Sequence, residues 1–347
     1  MTESSREPVL SVNDLRVEFD TYGGTVQAVR GVSFDVHRGK TLAIVGESGC
    51  GKSVTVQSIM GLIPMPPGRI TTGSAKLRGA NILGVKQIAG DDIRGSEIGM
   101  IFQDPMTSLN PTMTIGDQIA ETLEVHRGYT HRQAFNRAVE LLDMTRIPES
   151  AKRARQYPFE FSGGMLQRSM IAVALACEPS VLIADEPTTA LDVTIQAQIL
   201  DLMMELQRAN HMAIILITHD LGVVARMADD VLVMYAGQIV ERGSAKQIFY
   251  HSAHPYTLGL KSAMPTNITE ATQKLTPIDG SPPDLFSPPV GCGYAARCPH
   301  AMQICEHHQP QQSFAIEESH QSACWLHHED CQVQVPALFR ASVVVKQ

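Results

Sequence analysis

The sequence predicts an α/β protein with a mostly parallel core sheet, an N-terminal antiparallel β region, a helical subdomain and a small irregular Cys-rich C-terminal extension. Three observations carry this expectation. Thr41–Val45 is a largely apolar run ending in glycines, the pattern of a strand buried on both faces that feeds a loop and then a helix. Apolar runs return at Val181–Ala184, Ala213–Ile217 and Val231–Tyr235, separated by helical stretches such as Ile195–Leu206, and such alternation implies a parallel sheet. Between about Pro105 and Phe159 the apolar period changes to that of a helix.

Taken in order, Leu10–Phe19 and Val26–Val36 read as strands. Leu15, Val17 and Phe19, then Val32, Phe34 and Val36, alternate apolar with polar, and Tyr22-Gly23-Gly24 marks the turn between them. In the helical insert Ile115, Ile119 and Leu123 share one face, and Phe135, Ala138, Val139 and Leu142 another. Thr130 followed by Gln133 predicts a capping box. From about His254 the chain turns rich in proline, histidine and cysteine. The expected division is therefore 1–253, with a helical subdomain at about 105–178, followed by an extension over 254–347.

A net charge of -8 on 347 residues gives no global attraction to nucleic acid, and none is expected as a partner. The N-terminal MTESSREPVL lacks the features of a secretory signal, and the most apolar stretches are far shorter than the roughly 20 residues that cross a bilayer. A chain soluble by itself is expected. Five of seven cysteines, Cys292, Cys298, Cys305, Cys324 and Cys331, fall near the end, which in a chain that is not exported favours a metal site over disulfides.

Gly46-Glu47-Ser48-Gly49-Cys50-Gly51-Lys52-Ser53 fits G-x-x-x-x-G-K-[ST] after a buried strand. Backbone N–H groups from Gly46 to Val54 can curl around phosphate oxygens, Lys52 reaches the terminal phosphates and Ser53 can hold Mg²⁺. Cys50 reads as a small residue filling a variable position, one that an oxidant could reach when no nucleotide covers it; Cys177 reads as core. Val181–Glu186 delivers two carboxylates to a strand end: Asp185 to bind Mg²⁺, and Glu186 to orient and polarise the attacking water. Ser162, Gly163 and Gly164 open a helix, where Ser162 is either an N-cap or part of an anion-binding helix start.

In this order the motifs resemble the ATPase subunits of ABC transporters over roughly Leu10 to Gly243. Phe161-Ser162-Gly163-Gly164-Met165-Leu166-Gln167 looks like the family signature, with Met165 in place of the commoner glutamine. The resemblance implies that Gln103 touches Mg²⁺ and the attacking water. It makes Ala190-Leu191-Asp192 the D-loop, His219 the switch histidine at the γ-phosphate, and Phe19 the aromatic stacked on adenine, with Tyr22 as substitute. It further implies a head-to-tail dimer with a second homologous ATPase subunit, a heterodimer being favoured. Each ATP would lie between the phosphate loop of one subunit and the signature helix of the other.

His254-Pro255-Tyr256-Thr257, Asp279–Leu285, Gly291-Cys292 and Arg297-Cys298-Pro299 resemble the C-terminal extension of oligopeptide and dipeptide importers. This implies two transmembrane permease subunits, an extracytoplasmic peptide-binding protein acting indirectly, and a peripheral place on the cytoplasmic face of the bacterial inner membrane. Cargo stays open between peptides and nickel, glutathione or antimicrobial peptides. A soluble nucleic-acid or ribosome-associated ABC ATPase is disfavoured by the single cassette and net acidity. Cys292, Cys298, Cys305 and Cys324 could hold a 4Fe-4S cluster or Zn²⁺, with Cys331 as alternative fourth ligand; spacing does not decide, and the resemblance implies iron–sulfur. His300, His307, His308, His320, His327 and His328 read as exposed polar residues.

Overall fold

The computed structural model describes residues 7–83, 93–189, 191–263, 277–310 and 314–331. They fall into two compact units, one within Met1–Ser11, Asp35–Thr41 and Ala75–Ile217, the other within Val12–Phe34, Leu42–Ser74 and Thr218–Gln347. The strands are β1 (Leu10–Thr21), β2 (Gly24–Val36), β3 (Thr41–Val45), β4 (Gly68–Leu77), β5 (Ala80–Asn81), β6 (Ile98–Ile101), β7 (Val181–Asp185), β8 (Ala213–Thr218), β9 (Asp230–Tyr235), β10 (Gln238–Ser244), β11 (Phe314–Glu317) and β12 (His320–Ser322). The main helices are α1 (Lys52–Ile59), α2 (Ile115–Arg127), α3 (His131–Met144), α4 (Gly163–Leu175), α5 (Val193–Asn210), α6 (Leu221–Met227), α7 (Ala245–Tyr250), α8 (Pro255–Ser262) and α9 (Gln303–His307). Among the described residues no helix is long and apolar enough to cross a membrane.

In the first unit β6, β7 and β8 lie side by side and parallel, with Ile101 opposite Ala184 and Ala184 opposite Leu216. Every residue of β7 is buried, which is why its sequence shows an unbroken apolar run rather than alternation. The helical insert builds its own core. Ile115, Ile119 and Leu123 of α2 meet Ala138 and Leu142 of α3, with Phe135 and Val139 packed at the margin. The predicted capping box is present: Gln133 Oε1 accepts from the Thr130 N–H at 3.1 Å. A Cβ on Gly99 of β6 would lie 2.3 Å from the carbonyl oxygen of Ala174, so only glycine lets α4 approach this strand so closely.

In the second unit β2, β1 and β4 are neighbours, and a separate run follows the order β11-β12-β10-β9-β3. Within that run only β3 and β9 pair in parallel, Leu42 opposite Asp230 and Val45 opposite Val233. The segment after His254, expected as irregular, supplies β11 and β12, and β12 hydrogen-bonds the edge of β10 with Glu241 opposite Ser322. Strands of three and four residues are too short for a period to register, so their pairing could not be read from sequence. The extension also enters the core: Tyr256 and Tyr294 are buried in one cluster with Val45, Val233 and Tyr235. Leu285 accepts a backbone hydrogen bond from Gln27 of β2 at 3.0 Å, and the Phe286 ring lies over Gly23.

Candidate functional site

In the second unit the chain leaves the fully buried β3 and curls through Gly46–Gly51 into α1. Gly51 sits at φ 100°, and a Cβ there would lie 2.4 Å from the carbonyl oxygen of Ala28; on Gly46 it would lie 2.3 Å from that of Met234. Both positions need the absence of a side chain, the physical content of the glycines in the motif. Ser48 and Gly49 are exposed at the tip, and Ser53 and Val54 are half-buried in the first turn of α1. The Lys52 ammonium is buried and donates to the carbonyls of Gly46 and Glu47, both at 2.9 Å. A cation there, with helix N–H groups beside it, is the chemistry a polyphosphate requires. Cys50 is 5% exposed, and burial pushes its thiol up despite the nearby Lys52. This corrects the expectation of an oxidant-accessible thiol: the side chain is buried, with its sulfur 3.8 Å from Lys52 Nζ.

In the first unit Asp185 ends β7 and is buried. Its neighbour Glu186 turns out of the strand at φ 47°, in the left-handed region that a side-chain-bearing residue seldom adopts without need. The turn brings its carboxylate to Gln103, whose amide nitrogen donates to Oε2 at 3.1 Å, and to the Thr189 hydroxyl at 2.9 Å. Gln103 and Glu186, predicted separately, therefore meet. Ser162 caps α4, its hydroxyl accepting from the Met165 N–H at 3.4 Å, while Gly163 faces open space. Gly164 is held against Ile195 of α5, where an added Cβ would come to 3.0 Å. Asp192 caps α5, accepting from the N–H groups of Thr194 and Ile195. Ala190 of the expected D-loop lies outside the described residues.

His219, in the second unit, is exposed just past the end of β8. Phe19 is half-buried on β1 with its ring against Gly68, and Tyr22 is fully exposed.

The four cysteines of the expected metal site lie in short turns of the extension. The Cys292 N–H donates to the carbonyl of Cys305 at 2.7 Å, and Gly291 lets those segments touch, since a Cβ there would meet Cys305 O at 2.2 Å. Cys305 and Cys324 are buried and Cys292 and Cys298 half-buried. Burial raises the thiols of Cys292 and Cys324, and that of Cys298 to about 11. Cys324 further feels the charges of Cys292, Cys298 and Cys305, so the four share one neighbourhood; Cys331 packs against the cluster of Cys324 and Leu326 and approaches the Met302 sulfur at 3.9 Å. Among the described residues no group of three or more His, Cys, Asp or Glu side chains is arranged to hold a metal ion. The donor chemistry suits a cluster; the arrangement of the thiols is not that of a closed cage.

His320 is not exposed as expected. It is fully buried, with Nε2 at 2.9 Å from Glu241, whose carboxylate also accepts from the N–H groups of Ala253 and His254. Two further residues escaped the sequence reading. Arg297 and Tyr256 both bond Glu47 of the phosphate loop, across 250 and 209 positions of sequence. Their motifs were visible, but no local pattern reports a contact so distant.

A glycine loop carrying a buried lysine after a buried strand, and a strand-end Asp-Glu pair whose glutamate meets a glutamine, define an ATP-binding cassette of the ABC ATPase class. The fold agrees. The structure resembles a dimeric ATP-binding cassette, MJ0796, bound to ADP and Pi (TM-score 0.61, 25% identity, covering 68% of this chain and 98% of that one). It also resembles cbiO1 of Clostridium perfringens (TM-score 0.60, 28% identity, 70% and 91%). The ABC transporter profile matches residues 29–189, and that of the oligopeptide/dipeptide transporter C-terminal region matches 240–305. The dipeptide transport ATP-binding protein DppD of Bacillus subtilis is 56% identical over 322 residues, 92% of this chain and 95% of the relative. The oligopeptide transport ATP-binding protein OppD of Salmonella typhimurium is 52% identical over 307 residues, 88% and 91%. The chain belongs to this family of dipeptide and oligopeptide transport ATP-binding proteins.

Proposed function

We propose that this chain hydrolyses ATP to drive uptake of dipeptides or oligopeptides, as the ATPase subunit of an ABC importer. The observation that carries the reading is the Gln103–Glu186 hydrogen bond at the C-terminal end of β7, which orients the carboxylate assigned to the attacking water. Lys52 and the loop amides bind the phosphates, Ser53, Gln103 and Asp185 would hold Mg²⁺, and Phe19 stacks on the base. Glu186, oriented by Gln103, accepts a proton from the attacking water, and His219 contacts the γ-phosphate. Bound, Mg²⁺ would neutralise charge on the β- and γ-phosphates.

The ATP is closed over by the signature helix start of a second homologous subunit, Ser162 to Gly164, in a head-to-tail pair. A heterodimer is favoured beneath two permease subunits at the cytoplasmic face of the inner membrane, with a peptide-binding protein outside. The dimeric state of the related cassette MJ0796 supports the pairing of two cassettes. The cassette is assigned to 1–253 and the extension to 254–347, and the peptide assignment is supported by the profile match at 240–305. Cys292, Cys298, Cys305 and Cys324 are proposed as ligands of a 4Fe-4S cluster, with zinc as alternative. Bound, such a cluster would crosslink the turns of the extension.

In the complex reconstituted with its partners, Glu186→Gln is expected to retain Mg-ATP binding and lose turnover by roughly 100- to 10,000-fold. Retained turnover removes Glu186 from its catalytic role. A visible absorption spectrum and metal content of anaerobically purified protein distinguish iron–sulfur from zinc.

A further inference from the structure

Glu47, the second residue of the phosphate loop, is held at three places. Its carboxylate takes both prongs of the Arg297 guanidinium, Nη1 to Oε2 at 2.6 Å and Nη2 to Oε1 at 2.9 Å. Its N–H donates to the Tyr256 hydroxyl at 2.8 Å, and its carbonyl accepts from Lys52 Nζ at 2.9 Å. Arg297 gives its other N–H groups to the Tyr235 hydroxyl at 3.1 Å and to the carbonyls of Asp279 at 2.9 Å and Ile278 at 3.3 Å, so all five donors are used. Its side chain is only 5% exposed. The guanidinium lies over the Tyr235 ring, 5.8 Å from its centre, and Tyr235, Tyr256 and Tyr294 pack ring against ring, with Tyr235 and Tyr256 centroids 4.5 Å apart.

A bidentate arginine–carboxylate pair fixes direction as well as distance, so Glu47 has one orientation. Breaking a pair buried on one side strands a charge, which is far more disruptive than losing an exposed ion pair. An unpaired carboxylate in this loop would also repel the polyphosphate the loop is built to hold.

We propose that Arg297 is a positioning residue for the ATPase reaction. Through Glu47 it sets the Gly46–Glu47 turn whose carbonyls hold the Lys52 ammonium, so the grip of the cassette on ATP depends on the C-terminal extension. The inference rests on reading Gly46–Ser53 as the ATP site.

The test measures affinity of the full-length chain for a fluorescent ATP analogue with Mg²⁺, together with KM and kcat for ATP in the assembled complex. Arg297→Ala is expected to weaken binding and raise KM by roughly 10- to 100-fold while kcat changes by less than about threefold. Arg297→Lys, which keeps the charge but loses the fork, falls between. Arg297→Ala combined with Glu47→Gln is no worse than Arg297→Ala alone, because the two act as a unit. Wild-type affinity in a folded Arg297→Ala protein, or a loss confined to kcat, overturns the proposal. If that variant does not fold, unchanged affinity in both Arg297→Lys and Glu47→Gln overturns it equally. Lys52→Ala keeps the two readings apart. Undiminished ATP binding in Lys52→Ala sinks the ATP site itself, whereas lost binding there beside unchanged binding in Arg297→Ala sinks only the positioning role.

Discussion

The side-chain amide of Gln103 donates to Oε2 of Glu186 at 3.1 Å, and the Thr189 hydroxyl donates to the same oxygen at 2.9 Å. Two donors on one carboxylate oxygen fix the plane of the carboxyl group, which matters because a general base must face the proton it takes. Gln103→Ala removes one of them and leaves the other. It is expected to lower kcat by roughly 10- to 100-fold, with ATP affinity little changed, a smaller loss than Glu186→Gln gives. Steady-state ATPase rates beside nucleotide titrations check this. A Gln103→Ala protein as inactive as Glu186→Gln would mean that Gln103 does more than orient.

Cys50 lies inside the phosphate-loop motif yet is buried, and burial raises its thiol, so the nucleophilic thiolate is scarce. In the folded protein without nucleotide it is expected to react with iodoacetamide more than about tenfold slower than in urea, with mass spectrometry locating the label. Labelling as fast in the native chain as in the unfolded one would show that the loop opens and exposes it.

The elements that announced themselves in the sequence were those whose burial pattern is simple. β3, β7, β8 and β9 are buried through nearly their whole length, and the unbroken apolar runs say so. β4 and β6 carry no such pattern, for opposite reasons. Gly68–Leu77 is mostly polar and half exposed, while Ile98–Ile101 is only four residues long and holds a glycine. Within the candidate site, the glycine loop and the strand-end Asp-Glu pair were legible because each is a local pattern that follows a buried strand. What could not be read was tertiary: Thr189 steadying Glu186, Arg297 and Tyr256 gripping Glu47, and Glu241 drawing His320 into the interior. Those contacts arise from the way distant segments are brought together, and no spacing along the chain encodes them.

His254 caps α8, its Nδ1 accepting from the Tyr256 N–H at 3.1 Å, which puts the proton of the neutral ring on Nε2. Burial, with a smaller contribution from His327, holds its pKa at about 3 against an ordinary 6.5. Between those values the unfolded chain binds a proton that the folded chain does not. Stability is therefore fully present above about pH 6.5 and is lost as the pH falls toward 3, by up to about 1.4 kcal/mol per pH unit from this one group. Urea midpoints at pH 7.5 and 5.5 should separate in the wild type and draw closer in His254→Asn, which keeps a capping oxygen without a titrating ring. Equal separation in both would place the acid sensitivity elsewhere.

Ser162 caps α4 and is proposed to face a nucleotide, and one substitution can separate the two. Its hydroxyl caps α4 by accepting from the Met165 N–H, and in the proposed dimer the same helix start faces the γ-phosphate held by the opposite subunit. Ser162→Ala removes both and is expected to lower stability by about 0.5–2 kcal/mol. Ser162→Asp keeps the cap, because aspartate accepts the same N–H and its charge suits a helix N-terminus. It also sets a negative charge against a negatively charged phosphate. Thermal melting of Ser162→Asp should therefore match the wild type, while ATP-driven association of catalytically inactive Glu186→Gln subunits, followed by light scattering, should disappear. Ser162→Asp subunits that still pair on adding ATP would show that this helix start does not lie at the nucleotide, whatever its worth as a cap.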